Sequence, residues 1–541
     1  MSALAGVRRL LLAALRRERV RLPVSAVVIG VLAAAVIASV AGLYESAQER
    51  AVAAGFNATN VIARAFNGPA SGAELGALAF HETFIILSIL VSILAVQTVV
   101  RHTRHEEDTG RAELVGAAAV GRRAPLVSAL LVAAILSVAS GVAYFGAFLV
   151  NGLGAAGAFH SGAALTATAL VASGFGAIAA QVAASARAAN GIAVAMVGLA
   201  FVLRAVGDAS GQVRDDGLWI DSGWASWASP IGWGQQVRPY GADQLPVLLL
   251  AVGALVVTVA VALTLTSRRD LGAGLVAPRA GPARAGRFLM STVGLAWRLQ
   301  RGACVAWAVG LGVLAAAFGG LGDEAEAMLA DNPQLADILG ADAADQVVDR
   351  FLAFTVSLLA VAASGAIVQL VLRIRAEEMA GRLDPLLATA TSRLRWVGGH
   401  VAVATVGTLG VMLALGLGGA LAFTATTGQA GRGFSAFLLG ALAHVPAVLA
   451  VGAVALVAVA IVPRAASALG WAMVAAAFLV QLFGEALDLP GWLVAVSPFS
   501  HVPEIGIEDV SWAPFTTLAV AVTTTIVAAL AFRRRDLVSV A

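Results

Sequence analysis

Long apolar runs broken by short charged segments recur from one end of this chain to the other. Each run is close to the roughly 20 residues that a helix needs to cross about 30 Å of hydrocarbon. The pattern predicts twelve spans, at 22–44, 80–100, 125–150, 163–184, 189–206, 244–266, 301–320, 350–372, 396–424, 434–462, 467–486 and 513–532. Lipid admits only helices or closed barrels, and these runs are too long for barrel strands. The expected fold is an all-α polytopic membrane protein.

The polar segments between spans are not equivalent. Of 35 arginines, 28 fall in 1–21, 101–124, 185–188, 267–301, 373–395, 463–466 and 533–541, which are alternate connections. By the positive-inside rule these segments and both termini are expected in the cytoplasm of a bacterial plasma membrane. The first span resembles a signal peptide, with small residues near Ala38 and Ala41, but it is longer than a usual apolar signal core and more spans follow. Before it, Val7 to Arg21 alternates Leu-rich and Arg-rich faces, which suits a helix lying in the interface. On the opposite side the longest connection, 207–243, carries Trp219, Trp224, Trp227 and Trp233. Its counterpart 487–512 has Trp492 and Trp512, and half-spanning segments are expected in both.

One charged segment occurs twice. Arg104, Glu106, Glu107, Gly110, Arg111 and Glu113 return at an offset of 271 as Arg375, Glu377, Glu378, Gly381, Arg382 and Asp384, with Arg122 returning as Arg393. Other matches follow: "GVLAAA" at 30 and 312, Arg187 and Arg464, Ser229-Pro230 and Ser497-Pro498, Arg269-Asp270-Leu271 and Arg535-Asp536-Leu537. An even number of spans per copy keeps the orientation, so the copies are expected to be two parallel six-helix repeats. The halves are 1–271 and 287–541, joined by a Gly/Pro/Ala-rich linker, 272–286. In the first copy Arg104 and Asp108, and Glu107 and Arg111, stand four apart and can pair on a helix surface. Glu378 and Arg382 keep that spacing, while Pro385 is expected to end or bend the second helix earlier. A short charge-laced helix between two spans can seat in a groove of a soluble partner.

Composition narrows the chemistry. Charged residues are 12% of the chain, against about a quarter in ordinary domains, and the mean hydropathy is +0.88. There is no lysine, so no phosphate-binding P-loop can be built here. A single cysteine, Cys304, excludes an internal disulfide or a CxxC site. The basic balance follows membrane topology and implies no nucleic acid. No HExxH, paired mid-membrane acids or Ser/His constellation suggests an enzyme.

The stretches "RHTRHEEDTGRAELVGA", "SPIGWGQQVRP", "RRDLGAGL" and "SPFSHVPE" resemble ABC-2 type permeases. Within these the chain is similar to the fused twelve-span actinobacterial subgroup of polyketide-antibiotic exporters (tetronasin-type). The resemblance covers nearly the whole chain. It implies a permease that exports an amphiphilic compound and pairs with a separate ABC ATPase, expected in two copies per chain. It further implies that ATP and Mg belong to that partner, with no cofactor, metal or catalytic residue in this chain. The family's coupling helices map onto 101–124 and 373–395, its interfacial helix onto 7–21 with a second copy at roughly 287–300. Leu114 is replaced by Pro385 in the second copy, a departure that bears on equal coupling by the halves.

The alternative is an ion-coupled secondary multidrug transporter, whose mid-membrane ionisable groups would be functional. Glu82, Arg204, Arg350 and Glu485 lie near outer span ends, where snorkelling to water is expected. His444 beside Pro446 is the one candidate proton carrier, with helix packing the competing reading. Candidate substrate-pathway residues are Ser88, Ser92 and Gln97, Asn190 and Phe201, Thr355, Ser364 and Gln369, and Phe478 and Gln481. Interhelical hydrogen bonding competes at each polar one. A cavity of this make-up suits a small, hydrophobic, oxygen-rich compound.

Overall fold

The computed structural model describes residues 2–276, 281, 283–320, 341–483, 490–503 and 511–536. It is built of two compact units, Met1–Ala280 and Gly281–Ala541. Among the described residues eleven helices are long and apolar enough to cross a membrane, and a twelfth, Ala466–Gln481, is apolar but shorter.

In the first unit a short amphipathic helix α1 (Val7–Arg17) precedes α2 (Arg21–Leu43). Then come α3 (Ala47–Thr59), α4 (Val61–Asn67), α5 (Leu75–Arg101), α6 (Arg104–Asp108) and α7 (Arg111–Gly116). The spans α8 (Ala124–Val150), α9 (Ala155–Val182) and α10 (Ala186–Ala209) follow, then α11 (Trp224–Trp227), α12 (Pro230–Gln235) and α13 (Leu248–Thr266). A two-stranded antiparallel ribbon, β1 (Gln212–Val213) with β2 (Ile220–Asp221), is the only sheet among the described residues. The centre of this unit is α9, packed by α5, α8, α10 and α13. Its buried positions are mostly Gly, Ala, Ser and Thr. Small side chains let backbones approach, and that packing replaces the hydrophobic drive that lipid cannot supply.

The second unit runs α14 (Thr292–Gly319), α15 (Ala341–Met379), α16 (Leu383–Leu387) and α17 (Arg393–Thr427). Next come a π-helical turn (Phe434–Leu439), α18 (Gly440–Ile461), α19 (Ala466–Phe483), α20 (Gly491–Val496) and α21 (Ala513–Arg534). Corresponding helices approach at corresponding residues. A Cβ placed on Gly30 of α2 would lie 3.3 Å from that of Ala143, and one on Gly312 of α14 would lie 3.1 Å from the Ala414 carbonyl. Ala143 and Ala414 are themselves 271 apart.

Three expectations are corrected. Helices overshoot the predicted spans: α9 starts at Ala155 and α14 at Thr292, because helical hydrogen bonding continues past the apolar run. The predicted eleventh crossing at 467–486 meets the length needed only in part, and residues 484–486 lie outside those described. The second interfacial helix at 287–300 is not a separate element. Ser291 caps the helix through a bond from the Gly294 N–H (2.9 Å), and α14 then runs unbroken into its span. In the first copy α1 ends at Arg17, and Glu18, 1% exposed, meets His102 Nε2 at 3.0 Å; the aligned Gln300 is also buried, 2.7 Å from His400 Nδ1, inside the continuous α14.

On the face away from the arginine-rich connections, α4 and α10 fasten each other. Arg204 of α10 is fully buried and donates to the main-chain oxygens of Arg64 (3.2 Å) and Phe66 (2.5 Å), at the end of α4. Arg64 donates in return to Ala209 (3.4 Å) and Gly211 (3.0 Å), at the end of α10. The Phe66 and Ala209 oxygens are among the carbonyls that a helix end leaves open, and each receives a guanidinium from the other helix. Ser229 caps α12 and donates to the Ala200 oxygen at 2.6 Å, which seats the Ser-Pro segment against α10.

Candidate functional site

The repeated charged segment lies where α5 and α15 end. A left-handed glycine stands at the same place in both copies, Gly110 at φ +73° and Gly381 at φ +65°. Each donates its N–H to the carbonyl three residues back, Glu107 and Glu378, at 3.0 Å. An L-residue pays for this backbone conformation and glycine does not. The turn ends the preceding helix and starts a new one, α7 or α16.

That turn overturns the predicted pairs. Glu107 with Arg111, and Glu378 with Arg382, would meet on one face only on a continuous helix. Among the described contacts Arg111 faces Glu106 instead (3.9 Å) and Arg382 faces Glu377 (2.6 Å). The Glu377 hydrogen bond raises the Arg382 pKa above its ordinary value. Arg104 does not pair with Asp108 either; it meets Glu107 at 2.8 Å.

Glu107 is a hub. Arg269, just past the end of α13, holds both its oxygens, at 2.8 and 2.5 Å, and the Gly272 N–H adds a third bond at 3.2 Å. Arg104, fully buried, also donates to the Ala180 carbonyl in the last turn of α9 (2.6 and 3.0 Å) and to Ala273. The second unit repeats the arrangement: Arg375 lies 3.0 Å from Glu378, and Arg535, just past the end of α21, meets the same carboxylate at 2.5 Å. Arg122 donates to the Arg269 main-chain oxygen at 2.6 Å, and its counterpart Arg393 donates to that of Arg535 at 2.7 Å. Charge-assisted forks of this kind are among the stronger hydrogen bonds.

The six repeated positions therefore divide. Arg104, Glu107, Arg375 and Glu378 face inward and join the end of one span to the last span of their unit. Gly110 and Gly381 make the turn. Glu113, Arg111, Asp384 and Arg382 are exposed, as are Leu114, at 78%, and Pro385. The neighbouring acids of the first copy reach elsewhere: Glu106 to Arg17 of α1 (2.8 Å) and Asp108 to the Ala186 N–H that opens α10 (2.7 Å). Sequence reading noted the matching Arg269 and Arg535 but not their partners; their recurrence beside the charged segment was the available signal.

The substrate-pathway candidates do not converge. Ser88 and Ser364 are buried and donate to carbonyls of their own helices, Ile85 at 2.8 Å and Val361 at 2.5 Å. Ser92 and Thr355 are buried, and Gln369 accepts from Trp307 at 2.7 Å. Gln97 is exposed beside Arg21, Asn190 is half-buried, and Phe201 lies under the Arg204 guanidinium at 5.0 Å. Phe478 is exposed and Gln481 half-buried on α19. A cavity of about 620 Å³ opens within the second unit, lined by Val454, Ala477, Val480, Ser497, Thr516 and Val520 among others; neither Phe478 nor Gln481 lines it. Its wall is almost wholly apolar.

Arg204 is corrected as well: it does not snorkel, being tied to α4 and lying 3.4 Å from the fully buried Asp208. Gln235 donates to the same carboxylate at 3.0 Å. Arg350 is exposed, Glu82 is half-buried, and Glu485 lies outside the described residues. His444 Nδ1 lies 2.8 Å from the Gly440 carbonyl of its own helix, with its ring stacked on Phe499. No group of three or more potential metal ligands occurs among the described residues.

Residues 289–533 match the family described as the multidrug efflux system permease Rv1217c, C-terminal domain. The chain is also 36% identical, over 545 residues, to the multidrug efflux system permease protein Rv1217c of Mycobacterium tuberculosis (strain ATCC 25618 / H37Rv). That alignment covers 99% of this chain and 96% of the relative.

Proposed function

The chain belongs to the family of the multidrug efflux system permease Rv1217c, and from that premise we propose that it is the membrane subunit of an ATP-driven exporter. In this reading it moves a hydrophobic or amphiphilic compound out of the cell. ATP and Mg bind a separate ABC ATPase, two copies of which serve the two units of one chain. In this reading both termini and both charged turns lie in the cytoplasm, which the arginine distribution supports.

The observation that carries this reading is the twinned construction at Glu107 and Glu378. Each unit has a turn whose outer residues are exposed and whose inner residues are fastened to a distant span. A push on the exposed side is thereby delivered to the membrane helices. Without lysine the chain cannot build a P-loop of its own, so the push must come from a partner. The apolar cavity of the second unit favours a compound with a large apolar body. The finer reading, a polyketide antibiotic of the tetronasin class, rests on the sequence motifs alone.

The second reading, an ion-coupled transporter, has one observation in its favour: Arg204 and Asp208 are an ionisable pair buried in a span-length helix. Both are spent on holding α4, α10 and α12 together, which favours structure over proton traffic. The deciding experiment is uptake of a fluorescent apolar drug into inside-out vesicles carrying the chain with its ATPase. Uptake is expected to need ATP hydrolysis and to survive a protonophore. Uptake driven by a proton gradient without ATP would overturn the proposal.

A further inference from the structure

Three consecutive carboxylates of the first unit hold three different elements. Glu106 holds α1 through Arg17 at 2.8 Å, and Glu107 holds the end of α13 through Arg269. Asp108 accepts the Ala186 N–H at 2.7 Å, the first amide of α10. At a helix start that amide has no partner within the helix, so the carboxylate both satisfies it and meets the positive end of the helix dipole. One short helix is thus attached to the interfacial helix and to two spans of its unit.

The corresponding residues of the second unit are Glu377, Glu378 and Met379. Glu378 keeps the tie to the last span through Arg535. Glu377 meets Arg373 at 2.5 Å and Arg382 at 2.6 Å, both within the same short stretch of chain. Met379 has no carboxylate and cannot hold the start of α19 as Asp108 holds α10. Nor is there a separate interfacial helix to hold, since α14 is continuous from Thr292.

We propose that the two charged turns are unequal levers: the first moves α1, α10 and α13 together, and the second moves its last span without gripping the start of α19. Glu106 and Asp108 are then positioning residues that spread force. This rests on the ATP-driven reading above for its transport arm only.

The test compares Glu106→Ala/Asp108→Ala with Glu377→Ala in the full permease–ATPase complex. The first variant is expected to lower drug transported per ATP hydrolysed about fivefold or more, the scale of a modest coupling energy. Glu377→Ala, whose ties stay within its own turn, is expected to lower that ratio less than the first variant does. Asp108→Asn, whose amide oxygen still accepts from Ala186, should restore most of what Asp108→Ala loses. An equal or larger loss in Glu377→Ala, or no loss in the first variant, overturns the proposal. A second arm needs no ATPase: deuterium exchange at the first amides of α10 should quicken in Asp108→Ala but not in Asp108→Asn. Unchanged exchange there also overturns it. Transport without ATP in the unaltered complex would sink the function proposed above and leave the exchange result to decide the attachment itself.

Discussion

Arg269 grips Glu107 with both arms of its guanidinium, at 2.8 and 2.5 Å, across 162 residues of chain. Each side chain is 8% exposed. Glu107 is the shared counter-charge of Arg269 and Arg104, so its loss leaves two guanidinium groups without a carboxylate in a poorly hydrated place.

Glu107→Ala should therefore destabilise the first unit by about 3 kcal/mol, the scale of breaking a buried ion pair. Glu378→Ala should act similarly on the second unit. Glu113→Ala, at an exposed position, should stay within about 0.5 kcal/mol of the parent. Thermal unfolding in detergent, followed by tryptophan fluorescence, separates these outcomes. Equal midpoints for Glu107→Ala and Glu113→Ala would refute the hub.

Gly110→Ala and Gly381→Ala place a Cβ on left-handed backbone, at a cost of about 1–2 kcal/mol each. No atom lies within 4 Å of the added Cβ at either position, so the cost is backbone strain alone. Asn, which tolerates this conformation better, should be milder than Ala at both sites. The ranking Gly, Asn, Ala in unfolding midpoint is the check.

Arg204→Met should be among the more damaging single changes, about 3–5 kcal/mol, because Asp208 is left buried and unpaired. Arg204→Met with Asp208→Leu should recover part of that loss, since two apolar groups leave no stranded charge. A double-mutant cycle on thermal stability measures the difference. Strict additivity would mean the two residues do not depend on each other.

Glu49 closes a capping box at the start of α3, and its acceptance of the Ser46 N–H holds its pKa below the ordinary carboxylate value. The folded value is the lower one, so the contribution is present above the unfolded pKa and is lost as pH falls through the folded one. Protection of the Ser46 amide, corrected for the intrinsic pH dependence of exchange, should fall on acidification below the carboxylate range. Glu49→Gln should show no such pH step.

Placing Phe at Ala477 would fill part of the second unit's cavity. If that cavity takes the apolar compound, drug uptake should fall with protein level and fold unchanged. Preserved uptake would move the drug path elsewhere.

Much of this protein is legible along the chain because a span is a local property. Twenty apolar residues must form a helix in lipid whatever else the protein does. The offset of 271 likewise exposed the duplicated turn, with its glycine and its acids, and the arginine count separated one set of connections from the other. What the sequence could not determine was the partner of each charge. Helix spacing paired Glu107 with Arg111, yet the left-handed Gly110 breaks that helix and Glu107 turns to Arg269 instead. Arg204 was read as reaching for water, and it is buried against carbonyls about 140 residues earlier. Which acid meets which arginine depends on where distant helix ends come to rest, and those ends are brought together only by packing of the whole bundle.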